Sequence, residues 1–181
     1  MYKTKTYDIA MISVFTALIS VCSWITVPVP AIPFTMQIFG IFLALEVLGG
    51  KNGTVSVILY VLLGAVGLPV FAGFNAGLGA LAGVTGGYIL GFIPASLTYW
   101  LAKSLFKTDT FFTSFVSMLL SLFVCYAFGT LWFYIPYTHN TGAISIFGVL
   151  MSCVIPYIIP DIVKILLAVR VASVLKKHSR P

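Results

Sequence analysis

The chain has 181 residues, 60% of them hydrophobic and 8% charged, with a mean hydropathy of +1.11. A soluble domain carries about 25% charged residues, and a chain this short has no aqueous core large enough for so much apolar surface, so lipid is the expected solvent. The formal charge of +6 would suit a nucleic-acid surface, but the basic residues stand between apolar runs with no aromatic-interleaved stripe; this argues against nucleic acid and fits loops facing an anionic membrane.

Apolar runs fall at about 7–26, 34–49, 54–68, 84–104 and 111–134, followed by a long one from 143 to about 176. A span needs about 20 residues, so the first, fourth and fifth are long enough, while the second and third require tilting, kinking or packing against neighbours. The first run shows no small-x-small cleavage site and reads as a span rather than a signal peptide. It carries Ser13 and Ala17, a small-xxx-small pair of the kind that permits close helix contact in lipid. In "VPVPAIPFTMQ" (27–37), Pro28, Pro30 and Pro33 stop one helix and start the next, and Thr35 and Gln37 place a hydroxyl and an amide at the start of helix two. Glu46, near the other end of that helix and about one turn before Lys51, is placed for pairing or snorkelling.

The block "GLPVFAGFNAGLGALAGVTGGYILGF" (67–92) has eight glycines and no charge, with Asn75, Thr85 and Tyr88 among them. Non-helical backbone at membrane depth survives where it is buried in protein or lines a cavity, and glycine lets backbone approach a ligand; close packing of small residues between helices is the alternative. Asp109 is placed to act as N-cap of the fifth span.

As one helix the last run would be about 50 Å long, too long for a core of about 30 Å. Pro156 and Pro160 offer a break, and proline is welcome at a first helical position. The expectation is therefore a last span over 160–176, with 143–155 as a short helix or re-entrant segment capping one side. Asp161 and Lys164 then lie in the first turn of that span, where free backbone N–H groups and the ammonium together would favour an anion. A self-satisfied i, i+3 ion pair is the alternative. Asp161 can hold Lys164 or accept N–H groups from a polar ligand.

Nine of the ten Lys and Arg residues fall on one set of connections and the two ends, and none on 27–33, 69–83 or 135–142. By the positive-inside rule the fold is an all-α integral membrane protein of six transmembrane helices with both termini cytoplasmic. Trp24 and Trp132 then mark the outer interface and Trp100 the inner one. Cys22, Cys125 and Cys153 are far apart in apolar stretches, so they are expected to be free, buried and without metal. His139 and His178 form no catalytic pair. There is no phosphate-binding loop for ATP, no HExxH and no G-x-S-x-G, and no three-plus-three repeat of a self-sufficient carrier is visible.

Three segments, "PAIPFTMQ" (30–37), the glycine block (67–92) and "PYIIPDIVK" (156–164), together resemble BioY, the biotin-specific substrate-capture subunits of energy-coupling factor transporters. The resemblance covers nearly the whole chain. One departure is Val84, where the family usually has proline before Thr/Ser-Gly-Gly. The resemblance implies a six-helix fold with an outward-facing biotin pocket, no cofactor, and a partner membrane protein that couples it to two cytoplasmic ATPases. It implies that Ser13 and Ala17 face that coupling protein, a small-residue pattern only partly met here. Lys164 would suit the biotin carboxylate, and Gln37, Asn75, Thr85, Gly87, Tyr88 and Asp161 are the remaining biotin-site candidates; the reverse orientation, with Asp161 on the ureido N–H groups, is equally open. The expected cycle is capture from outside, closure of the 69–83 loop, and delivery driven by the partners. A solitary carrier working without ATPases is one alternative. A lipid-modifying enzyme using Asp161 and Lys164 is another, though it lacks a nearby histidine or second carboxylate.

Overall fold

A computed structural model describes residues 5–28, 33–106, 108–141 and 146–178, with side chains described except at 135–141, 146 and 178. Lys3, Pro30, Lys107, Arg180, the start of the 143–155 segment and the side chains of His139 and His178 lie outside the described residues.

Helix α1 (Lys5–Trp24) leads into a two-residue antiparallel ladder, β1 (Thr26–Val27) with β2 (Phe34–Thr35), in which Thr26 faces Thr35 and Val27 faces Phe34. Then come α2 (Gln37–Leu48), α3 (Gly50–Val66), a 3₁₀ turn (Ala72–Phe74), α4 (Gly77–Ala82), α5 (Gly86–Leu105), α6 (Phe111–Thr141), α7 (Ile146–Cys153) and α8 (Ile155–His178). The chain is mostly helical. Helices α1 and the Phe111–Tyr134 part of α6 are long and apolar enough to cross a membrane, and α2 and α3 are shorter apolar helices.

Helix α3 ends where Gly67 adopts φ +110°, a left-handed cap whose N–H reaches the Gly64 and Leu63 carbonyls; a side chain there would be strained. The 69–83 connection folds back onto the bundle. Phe71 is buried edge-on against Tyr60, Trp24 stacks on Phe74 at 5.1 Å, and Trp24 Nε1 donates to the Pro69 carbonyl at 2.9 Å.

The core is built where α2 lies along α8 and α5 along α6. Ile19, Ala44, Leu45, Val57, Met118, Ile165 and Ala168 are fully enclosed. The outer faces are apolar too: Ile9, Leu101, Phe112, Phe123, Leu131 and Ile159 are largely exposed. A surface this apolar marks an interaction with lipid or protein. Buried hydroxyls are internally satisfied. Thr16 and Ser117 donate to carbonyls one turn back, and Ser121 donates across to the Ala95 carbonyl at 2.8 Å.

Two boundaries differ from expectation. The break in the last run falls at Val154, not Pro160, so α8 begins at Ile155 and runs through Pro160. Pro156 lies in the first turn, where no helical N–H bond is lost. Pro160 removes one donor a turn later, a defect that neighbouring helices absorb in apolar bundles. At the start of α6 the cap is Thr110 rather than Asp109: Thr113 N–H donates to Thr110 Oγ1 at 3.3 Å, and Thr110 N–H donates to Thr113 Oγ1 at 3.0 Å. Asp109 is left for ion pairing.

Candidate functional site

The starts of α2 and α5, the 3₁₀ turn, α6, the end of α7 and the first half of α8 surround a cleft of about 670 Å³, its open mouth included. Gln37, Thr85, Tyr88, Asp161 and Lys164 all line it, joined by Pro33, Thr35, Ile38, Ala72, Ile89, Phe92, Cys125, Tyr126, Cys153 and Tyr157. Residues separated by more than 120 positions thus meet because α2 and α8 lie side by side.

At the cleft wall Lys164 Nζ donates to Asp161 Oδ1 at 2.8 Å, and the Tyr126 hydroxyl donates to Asp161 Oδ2 at 2.5 Å. Both charged residues are almost wholly buried, Asp161 at 2% and Lys164 at 4% exposure. The ammonium also sits 3.9 Å from the centroid of Phe34, whose ring stacks on Tyr157; a desolvated cation on an aromatic face is worth about 2 kcal/mol. Isolated charges in this setting would be prohibitive, so pairing and hydrogen bonding are what make them tolerable. Among the described residues no buried side-chain nitrogen or oxygen lacks a partner.

The start of α8 at Ile155 changes the chemistry expected of this pair. Asp161 and Lys164 lie nearly two turns into the helix, away from its free N–H groups, which act only within the first turn. The anion-favouring helix end is therefore not available to them.

The other expected residues divide. Gln37 Nε2 donates to the Tyr60 hydroxyl at 2.7 Å, fixing the amide at the cleft. Thr85 precedes α5 and makes no side-chain cap bond to it. Tyr88 packs with Phe133, Val149 and Cys153, and its hydroxyl lies 3.3 Å from Thr130 Oγ1. Val84, in the place of the family proline, joins that same cluster. Asn75 is exposed, is not among the cleft-lining residues, and bonds to the Ala72 carbonyl of its own turn at 2.9 Å. Gly87 is buried beneath Trp132; a Cβ there would lie 2.1 Å from Trp132 Cβ, so its glycine serves close packing of α5 on α6. Sequence reasoning assigned no role to Tyr126, Phe34 or Tyr157. Phe34 and Tyr157 lie inside the quoted segments, and Tyr126 is a hydroxyl within a long apolar run.

A second charged cluster occupies the opposite end of the helices. Glu46, 5% exposed, accepts from the Tyr99 hydroxyl (2.5 Å), Ser114 Oγ (3.0 Å) and Lys176 Nζ (2.7 Å), with Lys103 at 3.8 Å. Its partner is thus Lys176 on α8 rather than Lys51. Asp109 joins through Lys103 and lies 3.5 Å from Lys176. The hydrogen bond from Lys103 holds the Asp109 carboxyl below the usual aspartate range. Ser13 and Ala17 lie on an exposed face of α1, and the Ser13 hydroxyl is bonded to the Ile9 carbonyl. Cys22, Cys125 and Cys153 are free and buried.

The BioY family model matches residues 1–180. A biotin transporter BioY of Thermotoga maritima is 40% identical over 91% of this chain and 92% of its own length. A probable biotin transporter BioY of Pyrococcus horikoshii is 37% identical over 97% and 99%. Among solved structures, the S-component for biotin from an ECF-type ABC transporter superposes with a TM-score of 0.81, covering 97% of this chain and 95% of that one at 24% identity, so the fold is shared. With a family match from end to end, two such relatives and this fold, the chain belongs to the BioY family of membrane transport proteins.

Proposed function

We propose that this chain is the biotin-capturing subunit of an ATP-driven vitamin uptake transporter, binding biotin from outside in the Asp161–Lys164 cleft. The observation that carries the reading is a buried, mutually paired carboxylate and ammonium lining an otherwise largely apolar cleft, in a chain whose relatives are named biotin transporters. The spans are α1, α2, α3, α5, α6 and α8, with α7 as a cap beside the cleft. Lys5, Lys51, Lys103, Arg170, Lys176 and Lys177 stand toward the end away from the cleft, which supports cytoplasmic termini and an outward cleft. The exposed Ser13–Ala17 face of α1 is where a transmembrane coupling protein would sit, linking the subunit to two cytoplasmic ATPases; the remaining apolar surface meets membrane lipid.

Geometry favours one orientation of the ligand. The charge of Lys164 is already neutralised by Asp161, and no helix N-terminus reinforces it. A ligand carboxylate placed here would meet the Asp161 anion at close range. A ureido edge, with N–H donors beside a carbonyl acceptor, complements a carboxylate beside an ammonium. The ring system therefore goes to Asp161 and Lys164, with Gln37, Thr85 and Tyr88 around it, and the carboxylate tail points to the mouth.

Calorimetric titration of the purified protein with biotin and with biotin methyl ester tests the reading. Tight binding of both, within about tenfold of each other, is expected, since a tail at the wet mouth exchanges little hydrogen-bond energy. Loss of the ester alone would move the carboxylate onto Lys164. Binding of neither would reject the function. Growth of a biotin auxotroph at trace biotin with this chain and no coupling proteins would reject the need for partners.

A further inference from the structure

The Asp161 carboxylate is held at both oxygens from two different helices. Lys164, three residues along α8, takes Oδ1, and Tyr126, reaching across from α6, takes Oδ2. The tyrosine is part-buried and itself lines the cleft. A carboxylate oxygen has two lone pairs, so each still has one acceptor site after these bonds. An aspartate held only by its helical neighbour keeps rotational freedom about its terminal torsion, which is broad. A donor on the far oxygen removes that freedom.

We propose that Tyr126 is a positioning residue for ligand recognition: through its bond to Oδ2 it fixes the plane of the Asp161 carboxylate so that the remaining acceptor sites face the cleft, and it thereby sets the preference for a ligand head that presents N–H donors. The proposal rests on the orientation argued above and adds a residue outside the site candidates that the sequence offered. Lys164 alone does not supply this function, because its side chain is on the same helix as Asp161 and its ammonium is shared with the Phe34 ring. Tyr126 is the group that ties the carboxylate to the opposite wall.

The test compares biotin with its two mono-N-methyl ureido analogues in binding to the purified full-length protein, for wild type, Tyr126→Phe, Asp161→Asn and the double variant. Wild type is expected to prefer biotin over one analogue by at least about a hundredfold, because a site built to receive an N–H rejects a ligand lacking it. Tyr126→Phe keeps the ring and removes one charge-assisted bond, and should reduce that preference about tenfold. In the Asp161→Asn background the same change should reduce it no further. Tyr126→Met, similar in bulk and without a donor, gives the same readout if the phenylalanine variant does not purify. A full wild-type preference in Tyr126→Phe, or an equal loss of affinity for all ligands in both backgrounds, overturns the positioning role and leaves the biotin reading intact. No preference in wild type overturns the head-group orientation and the positioning role together.

Discussion

Asp161 and Glu46 are both carboxylates nearly sealed from solvent, both paired with a lysine of α8 and both bonded to a tyrosine hydroxyl, yet they stand at opposite ends of the same helices. Helix α8 carries both lysines, Lys164 and Lys176, twelve residues or about 18 Å apart along its axis. What differs is the surroundings. Asp161 lines a largely apolar cleft. Glu46 is turned inward to α5, α6 and α8 and uses its oxygens to tie four elements together. Buried charge in lipid is costly at either end. At one end the pair borders the cleft proposed to take the ligand; at the other it fixes the placement of helix ends.

The largest effect expected from breaking this comparison is at the cleft. Lys164→Ala leaves Asp161 buried with Tyr126 as its remaining named donor, and removing one member of a buried pair costs about 3–5 kcal/mol. Thermal unfolding should show that loss, and titration should show biotin binding weakened by about ten- to a hundredfold, in line with charged hydrogen bonds of about 1.5–3 kcal/mol. Next comes Glu46→Gln, which keeps the shape and part of the bonding. A stability loss of about 1–3 kcal/mol is expected, because Tyr99 and Ser114 lose a charged acceptor; biotin affinity should not move, since the hydrogen-bond and ion-pair partners Tyr99, Ser114, Lys176 and Lys103 lie outside the cleft lining. Phe34→Leu keeps bulk but removes the aromatic face under Lys164. It should weaken stability by about 1–2 kcal/mol, readable in denaturation of detergent-solubilised protein.

The smallest effect concerns pH. Because Lys103 holds the Asp109 carboxyl low, the contribution of that ion pair to stability is present above the unfolded aspartate value of about 3.9 and is lost as pH falls through the lowered folded value. Asp109→Asn should therefore lower the unfolding temperature slightly near neutrality, and the difference from wild type should shrink on acidification. Asp109 is mostly exposed, which limits the size of the effect.

Much of this arrangement was legible in sequence, for physical reasons. Composition forces lipid as solvent, and helical hydropathy runs are long enough to read without tertiary knowledge. Asp161 and Lys164 stood out because charge in an apolar run is expensive. Gln37, Thr85 and Tyr88 converge on the cleft because they sit at helix starts, which the prolines and glycines announce. The failures are equally physical. Pro160 looked like a helix start because proline is favoured there, yet α8 begins a turn and more earlier at Ile155, since packing against α2 outweighs one missing N–H. In sequence Glu46 is nearest Lys51; its partner Lys176 is 130 residues away, and only the fold brings it near. Asn75 was attractive as an amide in a glycine loop, but its side chain satisfies its own turn. Tyr126 carries no sequence signal beyond a hydroxyl among phenylalanines and leucines, and only the crossing of α6 over α8 brings it to Asp161.

The most direct test of the contrast between the two ends is one calorimetric experiment, titrating biotin into wild type, Lys164→Met and Lys176→Met in parallel. The account predicts that Lys164→Met loses binding by about ten- to a hundredfold while Lys176→Met binds as wild type does. Equal losses in both variants, or unchanged binding in Lys164→Met, would contradict it.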